Sequence, residues 1–534
     1  MKRVHLGVTL AASWLCIACS GESVGGLPAP SRDGWAPESA WPGFTLVAPD
    51  SHVVRLVDMS GTAVHQWASE DYPGALYLTE RGTLLCTLEG DGYPVFGSRG
   101  GASGGIEELD WDGTRLWLFR WASERGMSHH DIAELPNGNM LFIAWDRKSR
   151  EEALAAGRDP ELLGEGELWP DAVYEVRPTR PEGGEIVWSW HSWDHLVQDF
   201  DPSAPNFADP ATRPERIDVN GDRDLRQKTP DEEAAVDARL AALGYAGDVS
   251  AADVKAADEG VPDEKEEAER AAKAAARSAD WMHSNGIDYN AELDQIAISV
   301  RRYDEVWIID HSTTSAEAAS SSGGRSGKGG DLLYRWGNPF AYGMGEWEER
   351  PLLGQHNVQW IPAGRLGAGN LLVYDNGTDD DRPWSMIREW WAPRDAEGNY
   401  LRAEGEPFGP SEMEWSYTAP EPEDFYSDFI SGVQRLPNGN TLICCGAPGW
   451  VFEVTPAGRM VWDWRNPYTK DPEFDEIEEE DEPSKFPFRL FRAERYGPDH
   501  PGIVALRTKG APVPMDPGSG PATNNRPAEE DSED

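Results

Sequence analysis

The sequence predicts an all-β protein, a six-bladed β-propeller that carries an acidic, partly helical insertion. Three observations predict this fold: a strand motif that occurs six times, a hairpin-turn motif that follows it, and a block of different composition between two copies. The chain has 534 residues, more than one ordinary hydrophobic core uses. That length favours either several domains or one radially repeated domain.

The strand motif consists of a glycine, two mostly apolar residues, an aromatic residue and a final Trp or Phe. A turn glycine followed by alternating bulky residues is typical of a β-strand, so six copies indicate a repeated β unit. An array of β-sandwiches is the structural alternative. Many of the tryptophans fall in or near the motif, which favours packing between repeats over carbohydrate binding. The copies are Gly61–Trp67, Gly113–Phe119, Gly184–Trp190, Gly330–Trp336 and Gly458–Trp464, with a degenerate copy at Gly409–Trp415.

The hairpin motif places a Pro-Asn-Gly-Asn turn between apolar strands. Leu135–Leu141 and Leu436–Leu442 are near copies, and Arg81–Leu85 and Gly369–Leu372 are looser ones. Each unit therefore contains at least two hairpins, as a propeller blade requires. A closed ring also needs a clasp, and we expect the strand around Phe44–Val47 to close it against the last blade.

Composition divides the rest of the chain. Residues 41–509 are the predicted propeller, between a flexible tether at 20–40 and a disordered acidic tail at 510–534. Residues 221–280 are rich in Ala, Glu, Asp and Lys. This composition predicts a solvated helical insertion over one propeller face, or a disordered acidic loop.

Residues 1–19 predict export through a lipoprotein-type signal peptide. A basic start at Met1–Arg3 precedes an apolar run that is too short to span a bilayer. Small residues before Cys19 predict this cysteine as the lipidation site, with a plain secretory signal as the alternative. We therefore expect a periplasmic or cell-surface protein that contacts a bacterial membrane only through an N-terminal lipid.

The net charge of −47 argues against nucleic acids and anionic lipid surfaces as partners. An anionic substrate would therefore need local positive charge at its site.

Three cysteines lie outside the signal, Cys86, Cys444 and Cys445. One disulfide among them is possible in an oxidising compartment, but their spacing does not assign it and fits no metal site.

The hairpin motif also gives a register for the first strand of each unit. Five residues before the turn leucine or isoleucine, three units carry His130, His356 and Ser431. We expect His283 to hold the same place in the unit between. Equivalent positions on innermost strands converge on the propeller axis, so these groups should meet in one polar pocket. At this stage, either His129 or His130 could face the axis.

These positions fall within longer motifs that resemble the bacterial arylsulfotransferase family. The resemblance implies a six-bladed propeller and transfer of sulfate from one phenol to another without a nucleotide sulfate donor. The chain has no Walker-type phosphate loop. The similarity runs from about Pro42 to Gly446 around the insertion, through His130-Asp131, Asp280–Gly286, Asp294–Arg302, Ile309–Thr314, Gly330–Phe340, Gly354–Trp360 and Asp375–Gly377.

The resemblance implies roles for individual residues. His356 matches the family's nucleophilic histidine, which forms a transient sulfohistidine. Arg301 matches its sulfate-binding arginine, His283 the histidine of its His-x-Asn pair, and His130 its first-blade histidine.

Two further positions are implied to bind substrate. Asn285 matches the asparagine of the His-x-Asn pair, and Ser431 stands where the family has a threonine.

We expect the transfer reaction to require no cofactor. Residues Asp218–Asp224 resemble the first half of a calcium loop, but Arg223 and Thr229 stand where such a loop has glycine and glutamate.

We therefore expect a sulfotransferase that moves a sulfuryl group from an aryl sulfate to a phenolic acceptor through a sulfohistidine. Its partners are small aryl sulfates and phenols, and the sequence determines neither the physiological substrates nor the oligomeric state. The alternative is a non-catalytic cell-surface propeller that binds a ligand or a partner protein. Catalysis requires the axial histidines and Arg301 to converge, whereas a binding module does not.

Overall fold

A computed structural model of the protein describes residues 39–49, 51–89, 95–96, 100–163, 166–222, 279–379, 381–471, 475 and 486–518. The predicted signal peptide with Cys19, most of the tether, residues 223–278 of the predicted insertion and the tail from residue 519 lie outside the described residues. No helix among the described residues is long and apolar enough to cross a membrane.

Six four-stranded antiparallel sheets form the blades of a β-propeller, which confirms the predicted fold. Strands are numbered in chain order. Blade 1 contains β1 (Phe44–Pro49), β2 (Val53–Val57), β3 (Ala63–Ala68) and the last strand, β26 (Leu490–Tyr496). Blade 2 contains β4 (Tyr72–Leu78), β5 (Leu84–Glu89), β6 (Gly105–Leu109) and β7 (Arg115–Arg120). Blade 3 contains β8 (Gly126–Glu134), β9 (Met140–Asp146), β10 (Asp171–Pro178) and β11 (Gly184–His191).

The second half of the ring repeats this arrangement. Blade 4 contains β14 (Ser284–Asn290), β15 (Gln295–Val300), β16 (Glu305–Asp310) and β17 (Tyr334–Trp336). Blade 5 contains β18 (His356–Trp360), β19 (Leu371–Asp375), β20 (Met386–Trp390) and β21 (Trp415–Tyr417). Blade 6 contains β22 (Gly432–Arg435), β23 (Thr441–Cys445), β24 (Trp450–Val454) and β25 (Met460–Arg465).

Short elements connect the blades. A parallel pair, β12 (Leu196–Val197) and β13 (Ile217–Asp218), lies between blades 3 and 4. The described α-helices are α1 (Arg150–Ala155), α2 (Pro160–Leu163), α3 (Ser315–Ala318) and α4 (Pro501–Lys509).

The ring closes within blade 1. Strand β1 pairs antiparallel with β26, with Thr45 opposite Arg495 and Leu46 opposite Glu494. The predicted clasp strand thus pairs with the last strand of the chain, and blade 6 is complete without it. One sheet therefore contains both ends of the propeller chain, so the ring cannot open without breaking this pairing.

The six copies of the strand motif are the outermost strands of the six blades. In every blade a tryptophan in this region donates its indole N–H to a backbone carbonyl of the next blade, which confirms that tryptophans pack between blades. The six bonds are Trp67 to Asp110 (3.1 Å), Trp117 to Gly183 (2.8 Å), Trp190 to Gly330 (2.7 Å), Trp336 to Pro410 (2.9 Å), Trp415 to Pro456 (2.9 Å) and Trp462 to Met59 (2.9 Å).

Two buried ion pairs also join neighbouring blades. Arg435 of blade 6 contacts Glu389 of blade 5 at 2.6 Å, and Arg495 of blade 1 contacts Glu453 of blade 6 at 2.6 Å. All four side chains are fully buried. Loss of one partner would leave a charge in the interior, so these pairs favour this one order of blades.

The chain end packs on blades 1 and 2. Ile503 and Leu506 of α4 join the apolar cluster between these blades, and so do Ala511 and Val513 of the predicted tail.

The cysteines Cys86, Cys444 and Cys445 are buried free thiols.

Candidate active site

The innermost strand of each blade lines the axis. In blade order these strands are β26, β4, β8, β14, β18 and β22, and each contacts its neighbours around the ring. In blades 3 and 6 an apolar residue of this strand lies opposite the third residue after the hairpin turn, and in blade 4 it lies opposite the fourth. Ile132 faces Phe142 in blade 3, Ile287 faces Ile298 in blade 4, and Val433 faces Ile443 in blade 6.

This register aligns the candidate site residues. His130, Asn285 and Ser431 lie two residues before those apolar residues, and His356 holds the same place before Val358. Asn285, and not His283, thus occupies the place equivalent to His130. The expectation for His283 differs by two residues because the blade 4 hairpin lacks the Pro-Asn-Gly-Asn turn that sets the register.

His356 begins β18 and is buried. Its Nδ1 lies 2.8 Å from Asn376 Oδ1 and 3.1 Å from the Gly354 carbonyl. The Asn376 amide nitrogen donates to the carbonyls of Ser427 and Ile430, which fixes the orientation of this amide. Because both groups facing Nδ1 are acceptors, Nδ1 carries the proton of the neutral ring. The lone pair is therefore on Nε2.

Arg301 follows β15 and stands in a short helical turn, Arg301–Tyr303. Its backbone N–H faces the His283 carbonyl at 3.4 Å. Its guanidinium lies near Gly354, the residue two positions before His356. A Cβ atom on Gly354 would be 3.8 Å from Nε and Nη2 of Arg301. Burial, and then the Arg301 charge, hold the pKa of His356 well below its usual value. Arg301 thus places a positive charge at the site, which an anionic substrate would need in so acidic a protein.

His283 forms a pair with Asp280. Nδ1 of His283 lies 2.5 Å from Asp280 Oδ2, and Asp280 Oδ1 accepts the indole N–H of Trp145. Burial lowers the pKa of His283, and the Asp280 carboxylate opposes this shift. The ring of His283 lies 4.6 Å from that of His130, measured between centroids.

His130 faces the axis, whereas His129 faces its own blade. His129 stacks on Trp145 at 4.2 Å between centroids, and its Nε2 lies 3.3 Å from Asp171 Oδ1. Its Nδ1 lies 2.8 Å from Nδ1 of His130. With the His129 proton on Nε2 toward the carboxylate, His130 donates from Nδ1 and has a lone pair on Nε2. Burial, and then the charges of His283 and His129, hold the pKa of His130 well below its usual value.

The two predicted substrate-binding residues differ in placement. The Asn285 amide donates to the Gln355 carbonyl at 2.8 Å, beside His356, and its Oδ1 is buried without a hydrogen-bond partner. The Ser431 hydroxyl is occupied within its own blade, by the Gly446 N–H at 2.9 Å and the Ser427 hydroxyl at 3.0 Å. Ser431 thus shapes the loop that holds Asn376 and has no described contact with an imidazole.

Several buried polar atoms around the axis have no hydrogen-bond partner among the residues that the structure describes: His130 Nε2, His356 Nε2, Arg301 Nε and Asn285 Oδ1. Buried polar atoms in folded proteins nearly always have a partner, so such a group points to a ligand. Neutral imidazoles, a guanidinium and an amide suit an anion that carries several oxygens. The structure thus brings together His130, His283, Asn285, Arg301 and His356.

The weak calcium motif has a different environment. The Asp222 carboxylate pairs with Arg158, and Asn220 Oδ1 accepts the backbone N–H of Asp159. Among the described residues, no group of three or more His, Cys, Asp or Glu side chains is arranged to hold a metal ion. Asp224 lies outside the described residues, and calcium binding stays a prediction.

Sequence reasoning assigned no role to Asp171, Asp280, Asn376 or Arg492, although Asp280 and Asn376 fall within the quoted motifs. Two signals were available: Asp280 precedes His283 by three residues, and Asn376 directly follows β19. Arg492 lies on β26, which contains neither repeat motif and therefore gave no signal.

Comparison with known proteins gives one strong match. A family model described as Arylsulfotransferase (ASST) matches residues 56–494, most of the chain. No curated protein sequence matches the chain.

Solved structures give only weak likenesses. A protein of unknown function from Bacteroides caccae is 11% identical, with 85% of this chain and 98% of that one covered and a TM-score of 0.39. A periplasmic gluconolactonase from Pseudomonas aeruginosa is 11% identical, with coverage of 79% and 95% and a TM-score of 0.35. Virginiamycin B lyase from Staphylococcus aureus is 8% identical, with coverage of 75% and 72% and a TM-score of 0.31. Similarity at this level supports no inference about function.

Proposed function

The chain belongs to the arylsulfotransferase family, and from that premise we propose that it transfers a sulfuryl group from an aryl sulfate to a phenol through a sulfohistidine on His356. The transfer needs neither a nucleotide sulfate nor another cofactor. The observation that carries this proposal is the buried Nε2 of His356, which has no hydrogen-bond partner in the described part of the chain and whose opposite nitrogen is held by Asn376.

In the first half of the reaction, the lone pair on His356 Nε2 attacks the sulfur of the donor. The N–S bond forms as the bond between sulfur and the aryl oxygen breaks, and that electron pair leaves with the phenolate. The lowered pKa of His356 supports this role, because the ring is neutral and nucleophilic at neutral pH.

The sulfuryl oxygens need positive partners while the charge moves. Arg301 provides a fixed positive charge, and its unpartnered Nε supports a role as a donor to these oxygens. The Asp280 carboxylate opposes the effect of burial, so the pKa of His283 is lowered less than those of His130 and His356. Among the axial imidazoles, His283 is therefore best suited to take up a proton when the anionic sulfuryl group binds and to donate it beside Arg301. Preorganised donors of this kind contribute about 3–4 kcal/mol each to the transition state.

In the second half, the acceptor phenol attacks the sulfur and the N–S bond breaks, with its electron pair returning to His356 Nε2. The phenolic proton needs a base. His130 suits this role because Nε2 has a lone pair and Nδ1 is held by His129. A positioned base of this kind contributes about 10²–10⁴-fold to the rate.

A non-catalytic binding module is the competing function. It would bind aryl sulfates without turnover, and His356→Ala would then weaken binding without abolishing any reaction. The convergence of three imidazoles with Arg301 favours catalysis.

The deciding assay mixes p-nitrophenyl sulfate with a second phenol and follows both p-nitrophenol release and the sulfated acceptor. We expect turnover by the wild type and by His65→Gln, a control in the outermost strand of blade 1. His356→Ala should be inactive. Equal turnover by His356→Ala would rule out this nucleophile, and no turnover by the wild type would favour the binding module.

We also propose that the protein is exported and anchored through a lipid on Cys19. The support is the sequence alone, because this segment lies outside the described residues. Cys19→Ser should move the protein from the membrane fraction of a bacterial host to the soluble fraction, whereas Cys16→Ser should not. Unchanged membrane association of Cys19→Ser would contradict lipidation at this residue.

A further inference from the structure

A ring of six residues crosses the propeller axis directly below the imidazole pocket. In blades 3 to 6 these residues immediately follow His130, Asn285, His356 and Ser431. In blades 1 and 2 the pairs Ala493–Val47 and Leu76–Cys86 set the same register. Large polar residues alternate with small ones around this ring: Arg492, Ala75, Asp131, Gly286, Asn357 and Gly432, in blade order. We call these six residues the axial floor.

Each large residue of the axial floor reaches across to another blade. Asp131 Oδ2 accepts the backbone N–H of Ile287 at 3.1 Å, in blade 4. Asn357 Oδ1 accepts that of Val433 at 2.8 Å, in blade 6. Arg492 Nη1 donates to Asp131 at 3.0 Å, across the axis from blade 1 to blade 3.

A fourth contact anchors the arginine. Arg492 Nη1 also donates to the Tyr77 hydroxyl of blade 2 at 2.7 Å, and that hydroxyl donates to Asp131 Oδ1 at 2.6 Å. Every blade thus contributes a side chain or a backbone N–H to the hydrogen bonds of the axial floor.

The small residues are required by the large ones. A Cβ on Gly432 would lie 2.6 Å from Arg492 Cγ and 2.9 Å from Asn357 Oδ1. A Cβ on Gly286 would lie 3.2 Å from Asn357 Cα. The large residues of the floor therefore already occupy the space that a side chain at Gly432 or Gly286 would need.

Burial changes across the axial floor. The side chains of Asp131, Asn357 and Arg492 are at most 5% exposed. Further along the same inner strands, away from the imidazoles, Asp288 and Glu494 are partly exposed. These partly exposed carboxylates and the buried imidazoles thus lie on opposite sides of the axial floor.

We propose that the axial floor keeps water away from the sulfuryl group on His356, so that the floor determines the choice of a phenol over water as acceptor. This inference rests on the proposed sulfotransferase function. Both routes break the same N–S bond and return its electron pair to His356. Attack by a phenol yields a new aryl sulfate and attack by water yields hydrogen sulfate, with the acceptor's proton passing to a base in each case.

Two substitutions open the floor on the two sides of Gly432. Arg492→Met removes the guanidinium while keeping most of the aliphatic length. Asn357→Gly removes a side chain at a backbone φ of 56°, a conformation that glycine adopts without strain. With donor and saturating phenol present, we expect the ratio of hydrogen sulfate to sulfated phenol to rise severalfold in both variants. This ratio does not depend on the fraction of active enzyme.

Gln434→Ala is the matched control. Gln434 lies two residues beyond the floor residue Gly432 on β22 and bonds to the backbone of Arg495. Its removal leaves the six residues of the axial floor intact, so the product ratio should equal that of the wild type. An unchanged ratio in both Arg492→Met and Asn357→Gly would overturn the inference while leaving wild-type transfer intact.

The wild type provides a test that needs no variant. With donor alone, an intermediate shielded from water should release one phenol per chain in a rapid burst and then stall. Rapid continuous release of hydrogen sulfate by the wild type would overturn the inference. Absence of any phenol release, with or without acceptor, would instead contradict the proposed function.

Discussion

Nδ1 of His356 lies 2.8 Å from Oδ1 of Asn376, a residue that directly follows β19 in the same blade. The amide nitrogen of Asn376 donates to two carbonyls of the Ser427–Ser431 loop, so its oxygen must face the imidazole. This contact places the proton of His356 on Nδ1 and the lone pair on Nε2. A loop in the next blade thus sets which nitrogen of His356 can react.

Asn376→Ala should lower kcat/KM about 10- to 100-fold, since loss of a buried hydrogen bond costs about 1–3 kcal/mol. The imidazole would lose its orientation and its fixed tautomer. Asn466→Ala is the matched control, because Asn466 is also buried and donates to two backbone carbonyls, but follows the outermost strand of blade 6. Similar kinetics for Asn376→Ala and the wild type would refute the positioning role.

Arg301→Gln should shift the acid limb of the kcat/KM profile to higher pH. Burial and the Arg301 charge both lower the pKa of His356, so the wild-type enzyme keeps a neutral nucleophile at a pH where an ordinary histidine is half protonated. Without the positive charge, that pKa rises and protonation begins at higher pH. The maximal rate should also fall about 10²–10³-fold, through lost stabilisation of the sulfuryl oxygens. A limb that stays in place would show that Arg301 lies too far from His356 to act on it.

Trp462→Phe should reduce the free energy of unfolding by at least about 1 kcal/mol, the typical value of a hydrogen bond. This substitution removes the indole N–H that bonds to the Met59 carbonyl and joins blade 6 to blade 1. The indole nitrogen of Trp450 is buried and has no partner within the described ranges, so Trp450→Phe loses no such bond and should cost less. Chemical denaturation of both variants measures the difference, and equal costs would argue against the bond.

His311→Gln should destabilise the protein more at mildly acidic pH than at alkaline pH. Burial alone would lower the pKa of His311, but Glu175 of blade 3 and Asp294 of blade 4 raise it above its usual value. A raised folded pKa gives stability that is fully present below the unfolded pKa and is lost as pH rises through the folded pKa.

Thermal melts of His311→Gln and the wild type at the two pH values measure this effect. His65→Gln is the control, because burial lowers the pKa of His65, so the cost of removing this imidazole should fall, and not rise, at acidic pH. A Tm difference for His311→Gln that is independent of pH would contradict the ion-pair account.

The fold could be predicted because its signals are local. A turn glycine followed by alternating bulky residues appears in every outermost strand, and the indole of Trp67 or Trp462 repeats the same bond at each junction. The inner strand of blade 1 could not be predicted, because β26 follows no hairpin and pairs with β1 from the other end of the chain.

The axial residues could be predicted from the sequence only in blades where a recognisable hairpin turn defines the register of the innermost strand. His130 and His356 precede turns that the sequence reveals, whereas blade 4 has a different turn, so Asn285 and His283 were interchanged. Partners such as Asn376 and Asp171 depend on contacts between strands that are distant in sequence, and residue type alone does not reveal these contacts.

The most direct test of the account is to identify the sulfated residue. The wild-type protein is mixed with p-nitrophenyl sulfate without acceptor, quenched at alkaline pH where a sulfated imidazole is protected from acid, digested and examined by mass spectrometry. The account predicts one added sulfuryl group on the peptide that contains His356, its disappearance when a phenol is added before the quench, and its absence in His356→Ala. A sulfuryl group on another residue, or the same label in His356→Ala, would contradict the central claim.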